Sequence, residues 1–281
     1  MGAFVQKIFA GRWIAGPYRK DAIERARKFN SVGIGAIINY LGEDFVDKSD
    51  IDDAVSTYID LIEHIESSGV RASISVKPTQ IGLLMGRKLA MKNYSKIVKS
   101  ARQHNVFVWL DMEAHEYVDD TIRLYESEVH DKGVGICIQS YLRRSYSDVI
   151  NVVRDKGIVR LVKGAYKENE TIAYMRRSTV TKNYLKLMRY VFRNSEEFMI
   201  ATHDKNIIRD AINLNKKYGK KMHLAMLNGI TDDCAMKIAD EELSIWLYIP
   251  FGNRWIDYAY RRLREGNNAK LLVESIFKAK C

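Results

Sequence analysis

Along the chain, short apolar runs rich in β-branched residues alternate with longer stretches whose apolar positions fall three and four apart. The short runs are "GIGAIINYLG" (33–42), "RASISVKP" (71–78), "VFVWLDME" (106–113), "GICIQSYL" (135–142), "IVRLVKGAY" (158–166), "EFMIATHD" (197–204), "MHLAML" (222–227) and "LSIWLYIPFG" (243–252). Each has the length and residue types of a strand. Between them lie stretches with the spacing of amphipathic helices, such as "DDAVSTYIDLIEHIESS" (52–68) and "YMRRSTVTKNYLKLMRYVFRN" (174–194). Strict alternation of the two types, with no Pro/Gly/Ser linker, predicts one parallel-sheet α/β domain over residues 1–281. An N-terminal helical segment of about 1–31 precedes the first strand. Eight βα units in this length favour a closed (βα)8 barrel of the TIM type over an open doubly wound sheet. The first β–α turn has no G-x-G-x-x-G, which further weakens a dinucleotide-binding fold.

Successive strand residues face opposite sides, so each run also predicts which side chains enter the barrel. If Val159 and Leu161 pack on the outer helices, Arg160 and Val162 point inward. The same phase turns Ser73, Ser75 and Lys77 inward opposite Ile74 and Val76, Gln139 inward opposite Ile136 and Ile138, and Tyr248 inward opposite Ile245 and Leu247. Asp111 ends a strand one residue past Leu110. Barrel interiors are normally filled with branched apolar side chains, and an unpaired buried charge is strongly disfavoured. Lys77, Asp111, Gln139, Arg160 and Tyr248 together at strand C-terminal ends therefore imply a polar ligand at the active face of the barrel. Taken singly, each is explained equally by a loop residue at the water boundary, and Arg160 with Asp111 by a purely structural ion pair.

A second constellation is "YIPFGNRWIDYAYRRLREG" (248–266). Asn253 suits an N-cap, a helix would run from Arg254, and Gly266 would stop it. Trp255, Tyr258, Ala259 and Arg262 fall on one face, Arg261 lies about 100° round, and Glu265 is within pairing reach of both arginines. Two guanidiniums held by one glutamate suit a small carboxylate, although cations near a helix C-terminus are also favoured by its dipole alone.

Composition narrows the class without choosing the chemistry. Apolar residues make up 47% and proline only 3 of 281 positions, as in an ordinary globular chain. The formal charge of +10 fits a nucleic-acid site, an anionic membrane surface, or an enzyme handling a carboxylate or phosphate. Cys137, Cys234 and Cys281 lie far apart with no C-x-x-C spacing, so neither a disulfide framework nor a zinc site is expected and a reducing, cytoplasmic setting fits. The N-terminal apolar run is broken by Lys7 and Arg12, unlike a secretory leader, and no window reaches the length of a membrane span.

With these motifs in order, the chain resembles the proline dehydrogenase (proline oxidase) family, in its monofunctional form. The resemblance runs from "YLGED" (40–44) to the double-arginine helix and is carried most specifically by "VRLVKGAY" (159–166), "ATHD" (201–204) and the Tyr-x-Pro-x-Gly turn, with "SVKPTQIGL", "LDMEA" and "QSYLRR" in the expected places. It implies FAD-dependent oxidation of L-proline to Δ1-pyrroline-5-carboxylate, the first step of proline catabolism, on a barrel whose last helix lies over the mouth. It further implies that Lys77, Arg261 and Arg262 bind the proline carboxylate, with Glu265 holding the arginines, and that Tyr166 and Tyr248 wall the substrate pocket. Asp111 and Arg160 would be the polar pair of the active site, Arg160 beside the reactive flavin nitrogen. Met112, Gln139, Lys163, Gly164, Ala165, Thr202 and His203 would touch FAD, as would Arg160 and Tyr166. Asn253, in place of the acid often seen after the Pro-x-Gly turn, and Ala114-His115 after Asp-Met-Glu depart from the family pattern without touching the chemistry. No stretch resembles the aldehyde dehydrogenase half of fused relatives.

Other readings stay open on sequence alone. Lys163 at a strand end could be the nucleophile of a Schiff-base barrel aldolase. The run "NKKYGKK" (215–221) hints at nucleic acid, but it lacks aromatic platforms and reads better as a solvated helix end, so no nucleic-acid partner is expected. A quinone or other carrier is the expected electron acceptor. The charge leaves room for peripheral contact with the inner face of a membrane.

Overall fold

The computed structural model describes residues 11–129 and 133–254. Eight parallel strands, β1 (Gly35–Tyr40), β2 (Ala72–Val76), β3 (Val108–Leu110), β4 (Val134–Gln139), β5 (Ile158–Val162), β6 (Glu197–Ala201), β7 (Lys221–Leu227) and β8 (Ile245–Phe251), close in chain order, with β8 bonded back to β1. All eight expected strands are present. Helix α1 (Arg19–Asn30) precedes β1, and α2 (Lys48–Ser68), α3 (Arg87–Gln103), α4 (Val118–Glu126), α5 (Ser145–Arg154), α6 (Arg177–Asn194), α7 (Lys205–Tyr218) and α8 (Asp232–Asp240) follow the first seven strands in turn.

The helices form because their apolar stripes match the outer face of the sheet. In α2 the buried positions are Ile51, Ala54, Val55, Tyr58, Leu61, Ile62 and Ile65, a three-and-four spacing that ends at Gly69 in the left-handed region. In α7 the Asp204 side chain accepts from the backbone N–H groups of Asn206 and Ile207, capping the helix at a strand-end loop. The outer core joins these stripes to Ala36, Ile38, Ile74, Val76, Val159, Leu161, Ile245 and Leu247, the outward strand positions.

Two expected helical stretches are shorter than their spacing suggested. The N-terminal segment is helical at 11–13 and again in α1, with non-helical chain at 14–18 between them. There the Ala15 N–H donates to the Pro250 carbonyl, and Asn228 Nδ2 donates to the carbonyls of Arg12 and Trp13. Backbone spent on the rims of β7 and β8 cannot also close helical turns. Likewise α6 starts at Arg177 and not at residue 174, because the Tyr174 N–H donates to the Tyr141 carbonyl. The cysteine reading also needs correction: Cys137 is free and buried, but Cys234 is disulfide-bonded.

The lower lumen is apolar, with Ile37, Trp109, Met199 and Ala225 packed against Phe107, Ile158, Ala201 and Trp246. Two large indoles fit there because glycines face them. A Cβ on Gly135 would lie 2.5 Å from the Trp109 ring, and one on Gly35 the same distance from the Trp246 ring. Overpacked cores force off-rotamer side chains and typically cost about 1–3 kcal/mol. Gly135→Val is therefore expected to lower the unfolding free energy, read by urea titration, by that order, and pairing it with Trp109→Leu should recover much of the loss; an unchanged single variant would show that the indole does not fill this space.

Candidate active site

Above this apolar plug, four consecutive strands turn polar groups to one point. Ser75 comes from β2, Asp111 follows β3, and Cys137 and Arg160 sit side by side in register on β4 and β5. Arg160 is 3% exposed and Asp111 7%. The Arg160 Nη2 donates to Asp111 Oδ1 and, at 2.9 Å, to Ser75 Oγ. Its Nε donates to Cys137 Sγ at 2.7 Å. Ser75 Oγ donates to Asp111 Oδ1 at 2.8 Å, and from across the barrel Tyr248 Oη donates to Oδ2 at 2.8 Å. The guanidinium carbon lies 5.0 Å from the Trp109 ring centroid and 5.7 Å from that of Tyr248, within cation–π range.

Burial disfavours both charges, so their states follow from what surrounds them. It pushes the Asp111 carboxyl up, but Arg160, Lys77 and the hydrogen bonds from Tyr248 and Ser75 outweigh it and hold the group below the usual aspartate range. It works against the Arg160 cation, which Cys137, Asp111 and Tyr248 more than sustain. Lys77 is stabilised above the ordinary lysine value in the same way: Tyr166, Asp111, Glu113 and Glu43 overcome its burial. Its Nζ donates to Tyr166 Oη at 3.4 Å and lies 3.9 Å from Glu43 Oε2.

Two side-chain atoms of the site are buried with no hydrogen-bond partner among the described residues: Arg160 Nη1 and Tyr141 Oη. Both residues line a cavity of about 630 Å³ at the strand C-terminal ends. Every candidate site residue within the described chain lines this same cavity: Lys77, Asp111, Met112, Gln139, Arg160, Lys163, Gly164, Ala165, Tyr166, Thr202, His203 and Tyr248. Arg261, Arg262 and Glu265, with the helix expected from Arg254, lie outside the described residues.

Local structure explains how several of these are aimed. Gly164 has φ +110, and a Cβ there would fall 2.1 Å from the Tyr141 ring, so the chain after β5 passes the tyrosine closely only as glycine. Gln139 Nε2 donates to the Glu113 carbonyl at 2.8 Å. Lys163 Nζ pairs with Asp204 Oδ2 at 2.8 Å, tying β5 to the cap of α7. His203 Nε2 accepts from the Leu227 N–H at 3.1 Å, so Nδ1, 2.8 Å from Thr231 Oγ1, carries the proton. With both nitrogens engaged, His203 offers the cavity ring surface.

Sequence reasoning missed Cys137, Tyr141, Asp204, Ala225 and Leu227, all on the cavity wall. Cys137 was accessible to it, since it alternates with Ile136 and Ile138 and so faces inward. Tyr141 and Asp204 belong to loops, for which a two-residue period makes no prediction. Chiefly through burial, with Arg160 opposing, the Cys137 thiol is pushed up to about 11. At pH 8 only about one molecule in a thousand would carry the thiolate, the reactive form. Iodoacetamide at pH 8 should therefore leave Cys137 unlabelled in the folded protein and label it after unfolding; rapid labelling of the native thiol would contradict the hydrogen-bonded, buried setting described.

Comparisons with known proteins bear on the family and the fold. The family model described as proline dehydrogenase matches residues 22–274. The chain is 30% identical over 264 residues to "Proline dehydrogenase 2" of Bacillus subtilis, covering 92% of this chain and 87% of that protein. It is 30% identical over 279 residues to "Proline dehydrogenase" of Deinococcus radiodurans, covering 96% and 90%. Among solved structures, proline utilization A (PutA) from Bdellovibrio bacteriovorus inactivated by N-propargylglycine superposes with a TM-score of 0.86 at 20% identity, over 95% of this chain and 35% of that one. PutA from Corynebacterium freiburgense superposes with a TM-score of 0.79 at 20% identity, over 98% and 33%. The chain thus spans about a third of these longer proteins and shares the barrel fold with them. By the extent of the family match and the similarity to relatives of nearly its own length, this chain belongs to the proline dehydrogenase family.

Proposed function

We propose that the protein oxidises L-proline to Δ1-pyrroline-5-carboxylate with FAD as the hydride acceptor, the first step of proline catabolism. The observation that carries this reading is Arg160, which lines a cavity of about 630 Å³ and whose buried Nη1 has no hydrogen-bond partner among the described residues. A cavity of this size is in the range of small-molecule and cofactor sites. Its lining pairs apolar surface from Val162, Ala225 and Leu227 with polar groups from Gln139, Lys163 and Thr202, which suits a flat, partly polar ring system.

FAD, when bound, supplies the acceptor for a hydride and its two electrons. Met112, Gln139, Lys163, Gly164, Ala165, Tyr166, Thr202 and His203 would hold it, the histidine through its ring. Arg160 would donate from Nη1 to a ligand acceptor and stabilise negative charge developing there, in a site dry enough for that charge to matter. Asp111 keeps the guanidinium in place and, being ionised and doubly bonded by its neighbours, is a holder of Arg160 more than a proton acceptor.

Lys77, with Arg261 and Arg262, would bind the substrate carboxylate, and Glu265 would hold the arginines. Fixing the ring by its carboxylate turns an encounter into a positioned reaction. The oxidation requires a neutral substrate amine, and cations around the cavity favour that form. Tyr166 and Tyr248 would wall the substrate space. The electrons would pass on to a quinone or other carrier, and the net charge of +10 suits loose contact with an anionic membrane. No helix among the described residues is long and apolar enough to cross one. The aldolase alternative loses ground because Lys163 pairs with Asp204, unlike the desolvated or cation-flanked setting that activates a nucleophilic lysine.

The test is an anaerobic titration of the purified protein with L-proline, followed by visible absorption. Bleaching of a flavin band is expected, and a colourless protein or a band indifferent to proline would refute the reading. In the same assay Lys77→Met should raise KM for proline about tenfold or more, the loss of one charged hydrogen bond of about 1.5–3 kcal/mol; an unchanged KM would remove Lys77 from the carboxylate site.

A further inference from the structure

Behind the cavity lies a buried carboxylate that the scheme above does not use. Glu113, two residues past Asp111, is 2% exposed. Both its oxygens are taken by one residue: Oε2 accepts from the Thr79 N–H at 2.8 Å and Oε1 from Thr79 Oγ1 at 2.7 Å. Thr79 lies in the 3-10 turn Pro78–Ile81, whose N-cap is Lys77. Glu113 therefore clamps the chain two residues beyond Lys77, satisfying an N–H at the start of a turn that has no side-chain cap of its own. Thr79 in turn holds the loop after β1: its Oγ1 accepts from the Asp44 N–H at 2.9 Å and its carbonyl from the Phe45 N–H at 3.2 Å. The Glu113 carbonyl meanwhile receives Gln139 Nε2. One side chain and one carbonyl thus tie the ends of β1, β2, β3 and β4 together.

We propose that Glu113 is a positioning residue for the substrate-carboxylate site: by holding Thr79 it sets the direction in which Lys77 leaves β2, and its charge state adjusts the pull of Lys77 on an anion. The proposal rests on the assignment of Lys77 to that site. The charged and titratable groups that interact with Glu113 are Lys77 after β2, Glu43 after β1, Tyr58 on α2 and Tyr117 in its own loop. Burial is the largest influence on its carboxyl. Lys77 and the two Thr79 hydrogen bonds oppose burial, Glu43 adds to it, and the group is pushed up to about 7. A carboxyl raised in this way is protonated at pH 6 and ionised at pH 8. Ionisation adds a negative charge near Lys77, on which Asp111 and Glu43 already act, and weakens its attraction for a bound carboxylate.

The probe is cyclopentanecarboxylate, a proline-sized ring acid whose missing amine removes the substrate's own titration. Its Kd for the flavin-loaded full chain is measured by calorimetry at pH 6 and pH 8. For the parent protein Kd should weaken about threefold or more over this interval, the direction set by adding a like charge near the anion's partner. Glu113→Gln, which keeps the shape and can bond Thr79, should bind as the parent does at pH 6 and show no weakening at pH 8. Glu113→Ala, which releases Thr79, should bind about tenfold more weakly at both pH values, the equivalent of one lost hydrogen bond at the upper end of the usual range.

If both variants follow the parent in affinity and pH course, the proposal is overturned. If the alanine variant does not fold, the glutamine variant decides alone, through a flat or a sloping pH course. Proline bleaching the parent flavin while the variants match the parent sinks only the role of Glu113. A parent that neither bleaches with proline nor binds the probe sinks the assignment of the site itself.

Discussion

A charged pair inside the barrel governs the rest of this structure. Arg160 occupies a strand position where branched apolar side chains normally pack, and it stays there because Asp111, Ser75 and Cys137 take its Nη2 and Nε donors while Trp109 and Tyr248 lie against its faces. Such a pair gains little stability over a well-packed apolar replacement, because desolvating two ions offsets most of their attraction. Its place makes sense as chemistry: Arg160 lines a cavity, and its Nη1 is left with no hydrogen-bond partner among the described residues.

The fold supplies that pair with a floor and a rim. Below, the indoles of Trp109 and Trp246 pack the lumen against Gly135 and Gly35. Above, the strand-end loops turn their polar groups inward, and cross-ties such as Lys163 with Asp204 and Glu113 with Thr79 hold neighbouring loops together. The division of labour is that of barrel enzymes generally, with packing at one end and ligand chemistry at the other. The two cations depend on what surrounds them: Arg160 on Cys137 and Asp111, and Lys77 on Tyr166, Asp111, Glu113 and Glu43.

Much of this was legible in the sequence, for a definite reason. A strand's two-residue period is rigid, so once Val159 and Leu161 are placed outside, Arg160 must be inside, and the same step places Ser75, Gln139 and Tyr248. The eight strands were equally legible because buried parallel strands leave continuous apolar runs. Partnerships were not. Nothing in the spacing says that Glu113 bonds Thr79 or that Asp204 meets Lys163, since these contacts join loops from different βα units. Helix starts also escaped, as at α6, where backbone bonding of Tyr174 to Tyr141 overrides a helical pattern of side chains. Family resemblance identified the chemistry, and Cys137 was overlooked although its phase was as clear as that of its neighbours.

The central claim is that Arg160 and Asp111 hold each other in the lumen for the sake of a ligand. A double-mutant cycle with Arg160→Met and Asp111→Leu, reading unfolding free energy and bound flavin per chain, tests it most directly. The account predicts that each single variant loses about 3–5 kcal/mol, because it strands the other buried charge, whereas the double variant recovers most of that stability and still loses the flavin or its reduction by proline. Additive stability losses with flavin content and proline-dependent bleaching retained in the double variant would contradict it.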